Sequence, residues 1–186
     1  FAELYPVFKA MEDAGKLRRG YFIAGLGGAQ FARPGADERL RQKPEPSKRA
    51  IVLAATDPAN PYGAALPWPE LETRPQRTPG AVVVLHQGRL LAYLGKSDRS
   101  LSLFLQEEEP DRSHQLEALL AALQTLVGPG KRRALLIQTI DRADAQRSPL
   151  APAFMAVGFS PGASGLSLRR GPALAQDAEY LEDAGE

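Results

Sequence analysis

Apolar positions recur with helical spacing at Leu4, Val7, Phe8 and Met11, so the chain opens on a predicted amphipathic helix. Pro6 is compatible only with its first turn, and Gly15 is placed to close it in a left-handed conformation. Residues 17–23 and 29–32 then read as paired strands, with Gly25, Gly27 and Gly28 supplying the turn between them. A short helix follows Pro34 and runs through Ala36 and Leu40. The order helix, glycine stop, basic step, strand, glycine turn, strand is the order in which a winged helix ends. Residues 1–42 are therefore assigned to the C-terminal part of a winged-helix domain, and the Lys-, Pro- and Ser-rich residues 43–49 to a linker.

The remainder reads as a second module over residues 50–170. An apolar strand at 50–54 leads into Asp57-Pro58-Ala59-Asn60-Pro61-Tyr62-Gly63 and then Leu66-Pro67-Trp68-Pro69, where the prolines forbid regular structure. Residues 81–86 and 89–94 flank Gln87-Gly88 as a hairpin, and 101–105 continue as a third strand. Leu116, Leu119, Leu120, Leu123 and Val127 line one face of a helix over 113–127, ended by Gly128-Pro129-Gly130. Residues 134–140 are a single β-like run. Leu150, Ala153, Phe154 and Val157 form a short helical face stopped by Gly158, and 166–168 make a last strand. Strands and helices mix without strict βαβ alternation, which predicts an α+β fold: an antiparallel, β-barrel-like sheet with two flanking helices. Residues 171–186 lack an apolar pattern and are expected to form a disordered acidic tail.

Composition narrows the chemistry. The chain has 186 residues, 44% hydrophobic and 24% charged, as in a soluble globular protein, with no apolar run long enough to span a membrane. It starts at Phe1 in the middle of an amphipathic pattern, so it is expected to be a piece of a longer protein. Cysteine is absent, which removes disulfides, thiolate metal sites and a cysteine nucleophile, and fits a reducing, cytoplasmic setting. His86 and His114 show no metal-ligand spacing, so no metal is expected, and both read as structural. Residues 1–49 carry ten Lys/Arg against six Asp/Glu, whereas residues 171–186 carry five acids and no Lys/Arg. Contact with a polyanion is thus expected at the start of the chain.

Nucleotide motifs fail on inspection. Gly25-Leu26-Gly27-Gly28-Ala29-Gln30 lacks the third glycine of a dinucleotide fingerprint and lies between strands. Gly130-Lys131 has Thr125 where a phosphate loop needs glycine, and Arg132 where it needs Ser or Thr. The nucleic-acid-binding candidates are Lys16, Arg18 and Arg19 at the root of the wing, whose cations match phosphate, with Gln30 able to read a base edge. Their plainer roles are a solvated hairpin, pairing with Glu12 and Asp13, and an exposed strand glutamine. In the proline-rich loop the candidates are Asp57, Asn60 and Tyr62, with Trp68 available to stack on a base; turn capping and loop packing are their structural alternatives. Glu107-Glu108-Glu109 reads as a loop charge run.

The run from Glu12 to Gly15, Arg18-Arg19-Gly20-Tyr21-Phe22, and Gly25-Leu26-Gly27-Gly28-Ala29-Gln30-Phe31-Ala32 closely resembles the large helicase-related (Lhr) proteins. So does Ala54-Ala55-Thr56-Asp57-Pro58-Ala59-Asn60-Pro61-Tyr62-Gly63, continuing to Pro69, and the match extends over about residues 1–170. The resemblance implies the C-terminal region of an ATP-dependent superfamily 2 DNA helicase, a hydrolase of DNA repair whose motor would bind ATP and Mg. The motor motifs do not occur in this sequence, so no ATPase residue and no cofactor is carried over. Implied partners are DNA, the helicase core and further copies of the chain. The family also implies two alternatives: part of a uracil-excising DNA glycosylase, for which Asp57 and Gln30 are the candidate groups, and a pure oligomerisation module.

Overall fold

The computed structural model describes residues 1–42, 47, 49–70 and 75–169. The expected linker lies mostly outside these residues, and the acidic tail wholly so. The chain divides into two compact units, Phe1–Pro46 and Ser47–Glu186.

The first unit consists of helix α1 (Tyr5–Asp13), strands β1 (Arg18–Gly20) and β2 (Gln30–Ala32), and helix α2 (Ala36–Arg41). Pro6 sits in the first turn of α1, where its missing N–H costs nothing. The helix ends in a Schellman motif: Gly15 has φ +71°, its N–H reaches Glu12 O, and Lys16 N–H reaches Met11 O at 2.8 Å. β1 and β2 pair antiparallel, Arg18 opposite Ala32 and Gly20 opposite Gln30. Phe31 of β2 packs on Tyr5 and Phe8 of α1, with ring centroids 6.0 and 5.4 Å away. The first strand is shorter than the sequence pattern predicts. It stops at Gly20 because the following backbone N–H groups of Phe22 and Ile23 bond to a side chain instead of a strand.

The second unit is built around a six-stranded sheet. Its strands are β3 (Ile51–Ala54), β4 (Val82–His86), β5 (Arg89–Leu94), β6 (Ser100–Leu103), β8 (Thr139–Ile140) and β9 (Ala143–Asp144), in that spatial order. Between β6 and β8 come helix α3 (Asp111–Gln124) and β7 (Ala134–Ile137). After β9 follow a 3-10 turn (Ala145–Arg147), helix α4 (Ala151–Ala156), β10 (Ser160–Gly162) and β11 (Gly165–Arg169). The order β10-β11-β7 forms a separate three-stranded sheet. The mixed α/β character is as expected, but the strand order closes neither sheet, so the sheets are open and barrel-like closure does not follow from it. Nor are the sheets wholly antiparallel, since β6 and β8 run parallel. The expected single strand over 134–140 is two: Gln138 bonds to Arg99 O, and the chain changes partner there from β11 to β6.

Alternation along β4 explains the packing. Val82 and Val84 face one core with Leu101, Leu119, Leu123 and Phe154, so α3 and α4 cover that side of the sheet. Val83, Leu85 and Leu90 face the other side with Ala55 and Ala81; among the described residues no helix packs on them, and Tyr62, Trp68, Tyr93 and Phe104 do so instead. A register shift between Val84 and Leu85 sets Leu90 on this second face and Leu91 on the helical one. The proline-rich loop is thus a wall of the core.

Polar groups inside that wall are fully engaged. Asn60 is 1% exposed; its Nδ2 donates to Ala55 O at 2.9 Å and to Tyr62 O, and its Oδ1 accepts from Tyr62 N–H. The Arg77 guanidinium donates to four loop carbonyls: Asn60 O at 2.7 Å, Tyr62 O, Thr56 O and Asp57 O. Asn60→Ala is expected to cost about 2 kcal/mol by stranding buried backbone groups. Arg77→Lys should destabilise almost as much as Arg77→Ala, since one ammonium cannot replace a planar fork. Urea unfolding of the three variants checks both statements.

Candidate nucleic-acid interface

The wing is the first place where cations gather. Arg19 turns onto α1: its Nε lies 3.5 Å from Glu12 Oε1, and its Nη1 donates to the Tyr5 hydroxyl at 3.3 Å. Arg18 is its strand neighbour, so alternation sends it to the other face of the hairpin. It is exposed, with no ion pair or hydrogen bond among the described residues. Lys16 is exposed at the C-terminal end of α1, beside Val7, Met11 and Ala14. The three cations expected to act together are therefore not equivalent. Arg18 and Lys16 are open to solvent, while Arg19 fastens the hairpin to the helix.

Gln30 is spent inside the wing. Its Oε1 accepts from Phe22 N–H at 2.9 Å and Ile23 N–H at 2.8 Å; its Nε2 donates to Ile23 O and Leu26 O. Two lone pairs and two protons are all that a primary amide offers, so nothing remains for a base edge. This amide holds the Tyr21–Leu26 stretch in place of strand pairing. It leaves Tyr21 92% exposed, an aromatic surface that hydrophobic periodicity did not single out.

The loop candidates are likewise committed. Asp57 Oδ1 accepts from Ala59 N–H at 2.8 Å, a turn two residues long. The Tyr62 hydroxyl donates to Gly88 O and accepts from Leu90 N–H, both at 3.2 Å. Trp68 stacks on Tyr62 and meets Tyr93 edge-on. Its indole lies against Gly63, where φ is +73° and a Cβ would collide with the ring, so only glycine fits. His86 bonds Ser47 O through Nε2, and His114 is exposed on α3. Among the described residues, no three His, Asp or Glu side chains stand close enough to hold a metal ion. No helix among them is long and apolar enough to cross a membrane.

A second concave place lies where β6, the β8–β9 turn and the approach to α4 meet the first turn of α3. It has a volume of about 290 Å³. Leu103, Leu105, Ile140 and Leu150 wall it; Asp141, Arg112 and Arg147 supply its charges. Asp141 and Arg142 form a two-residue hairpin turn with φ of +48° and +68°, a conformation that usually selects Asn and Gly. Asp141 is pinned there from both ends: its N–H donates to Leu101 O, and its Oδ1 accepts from Leu103 N–H at 2.8 Å. Much of the residue is open to water, yet its carboxyl titrates above the ordinary aspartate value. Partial desolvation by the surrounding apolar side chains raises it, outweighing the lowering effect of the Leu103 N–H.

Comparison with known proteins agrees with the wing geometry. A family model described as the large helicase-related protein winged-helix domain matches residues 1–51. The chain is 44% identical over 184 residues to a Mycolicibacterium smegmatis protein named Lhr helicase/probable uracil glycosylase, covering 91% of this chain and 12% of that protein. It is 31% identical over 173 residues to the Escherichia coli K12 protein named Lhr helicase/uracil glycosylase, covering 89% of this chain and 11% of that one. The chain belongs to the large helicase-related family. It spans a small part of the length of these Lhr relatives, and its first unit carries their winged-helix domain.

Within this Lhr chain, sequence reasoning singled out neither Arg77, nor Tyr21, nor Asp141. Arg77 had no local signal, because its partners lie 15–21 positions away. The signal for Asp141 was present in the polar Asp141-Arg142-Ala143-Asp144 break after an apolar strand.

Two outcomes follow from these contacts. Gln30→Ala should speed amide exchange at Phe22 and Ile23 while leaving exchange in the second unit unchanged. Asp141 contributes stability that is present below its unfolded pKa, near 3.8, and is lost as pH rises through its elevated folded value. Thermal unfolding of Asp141→Asn between pH 3 and 7 should therefore gain on the wild type as pH rises.

Proposed function

We propose that this chain is a C-terminal accessory region of an ATP-dependent Lhr helicase that positions nucleic acid by its wing. The observation that carries this is Arg18, exposed and without an ion pair among the described residues, on the hairpin of a winged-helix domain. A guanidinium held on a β-ribbon and free of carboxylates can grip a phosphate bidentately without first breaking an internal pair. Lys16 adds a second cation, and Tyr21 an aromatic face on which an unpaired base can stack. ATP and Mg would belong to the motor of the whole protein, with DNA as its partner and the cytoplasm as its setting. Docking on that motor, and association of several copies, are further parts of the same proposal.

Both relatives' names also include uracil glycosylase, in one case as probable. Of the groups considered for that chemistry, Gln30 is fully bonded within the wing loop, whereas Asp57 gives one oxygen, Oδ1, to its turn. The positioning role is accordingly the one supported best.

Binding of a fluorescent single strand, measured against salt concentration, tests the reading. Arg18→Ala should lower the slope of log K on log salt by about one, the loss of one phosphate contact, without altering the melting temperature. Arg19→Ala should instead loosen the hairpin from α1. Equal slopes for wild type and Arg18→Ala would overturn the assignment.

A further inference from the structure

We infer that the cavity between the β8–β9 turn and the first turn of α3 receives one nucleotide of a single strand, its base against the apolar walls and its phosphate on Arg112 and Arg147. This rests on the nucleic-acid reading above and names a second contact, in the other unit.

Size is the first argument. About 290 Å³ lies at the small end of ligand pockets, enough for one base and its sugar but not for a peptide or a duplex. Chemistry is the second. Leu103, Leu105, Ile140 and Leu150 give the cavity an apolar wall, and Asp141, Arg112 and Arg147 line it with charge. Arg147 is available, with no side-chain ion pair or hydrogen bond among the described residues, while Arg112 makes a long 3.5 Å contact with Gln106 O and helps to lower the pKa of the exposed Glu109 carboxyl. Neither is within ion-pair distance of Asp141. Cations and carboxylate thus remain separate groups for a ligand carrying both an anion and a polar base edge.

The third argument is backbone strain. A non-glycine pair at positive φ is costly in a hairpin turn, yet Asp141 and Arg142 occupy one, and that geometry directs a carboxylate to the cavity. One Asp141 oxygen is fixed by the Leu103 N–H, which orients the second toward a base N–H. A carboxylate accepting from an exocyclic amine or ring imide is a standard base-edge contact. Its partial desolvation by the apolar walls strengthens such a bond.

The test uses the whole 186-residue chain and deoxycytidine monophosphate, followed by two-dimensional amide NMR. Saturable shifts are expected at Leu103, Asp141 and Ala143, with none at Tyr21 or Ile23. Arg147→Ala, at an exposed position, should weaken binding by about tenfold. Ala143→Phe, which fills the cavity from its rim, should abolish the shifts. Circular dichroism and the unchanged remainder of the spectrum report that each variant folds. Inorganic phosphate alone should compete poorly; equal competition would reduce the cavity to an anion site and overturn the inference. Shifts that persist in Ala143→Phe, or no shifts at millimolar nucleotide, would also overturn it. The cavity variants leave Arg18 unchanged, so the result is read independently of the wing. A chain whose DNA binding depends on Arg18 but whose cavity ignores nucleotide keeps the wing reading and loses this one.

Discussion

The second unit depends on one constraint: a sheet whose central strands are apolar on both faces must be covered twice. β4 is Val82-Val83-Val84-Leu85, so alternation sends a branched or long side chain to each side at every step. Helices α3 and α4 cover one side. The chain spends no helix on the other and uses the segment from Ala55 to Trp68 instead. An irregular segment can form a core wall only if its backbone polar groups are satisfied without secondary structure. Asn60 and Arg77 meet that requirement, the Tyr62 hydroxyl ties the segment to the β4–β5 hairpin, and the prolines reduce the entropy lost in ordering it. The most distinctive stretch of sequence is therefore explained by packing.

That result changes where function has to be sought. A polar side chain does work on a ligand only with bonding capacity left over. Asn60, Asp57, Tyr62 and Gln30 are all polar, and three of them sit in a segment that invites a functional reading. Each is already bonded within its own unit. Arg18 and Arg147 carry no such debt among the described residues. Composition treats Arg18 and Arg19 alike, although strand alternation gives one to the helix and the other to solvent.

What could be read from the sequence follows the range of the interactions that decide it. Helix α3, the β4–β5 hairpin and the glycine stop of α1 rest on contacts a few residues apart, and periodicity finds them. The fit is not perfect even there: Gln115 is buried on α3 among leucines, accepting from Gln106 N–H at 2.8 Å. Strand 134–140 looked continuous because its residues are uniformly β-like. Its division at Gln138 depends on which partner lies alongside, and Arg99 and Leu166 are remote in sequence. The wing's candidates Lys16, Arg18, Arg19 and Gln30 look alike in the sequence, and only the geometry separates the bonded Arg19 and Gln30 from the open Arg18 and Lys16. The cavity around Asp141 was invisible for the same reason, since it is assembled from β6, α3 and the approach to α4.

The first unit poses the converse problem. None of its described side chains is buried to the degree seen in the second unit, and Leu4 and Val7 on α1 are each 53% exposed. Its order rests on local devices: the Schellman turn, the four Gln30 bonds, the Phe31 contacts with Tyr5 and Phe8, and the Arg19 link to Glu12. Such devices contribute roughly a kilocalorie each, and the exposed ones less. They can fix the shape of a hairpin without a large hydrophobic core behind it. At the tip, a Cβ added to Gly25, Gly27 or Gly28 would meet nothing within 4 Å among the described residues, while Leu26 O between them is held by Gln30 Nε2 at 2.9 Å. In the proposed contact with a nucleic-acid backbone, that arrangement sets the bonded root beside Arg18 and the open glycines at the tip.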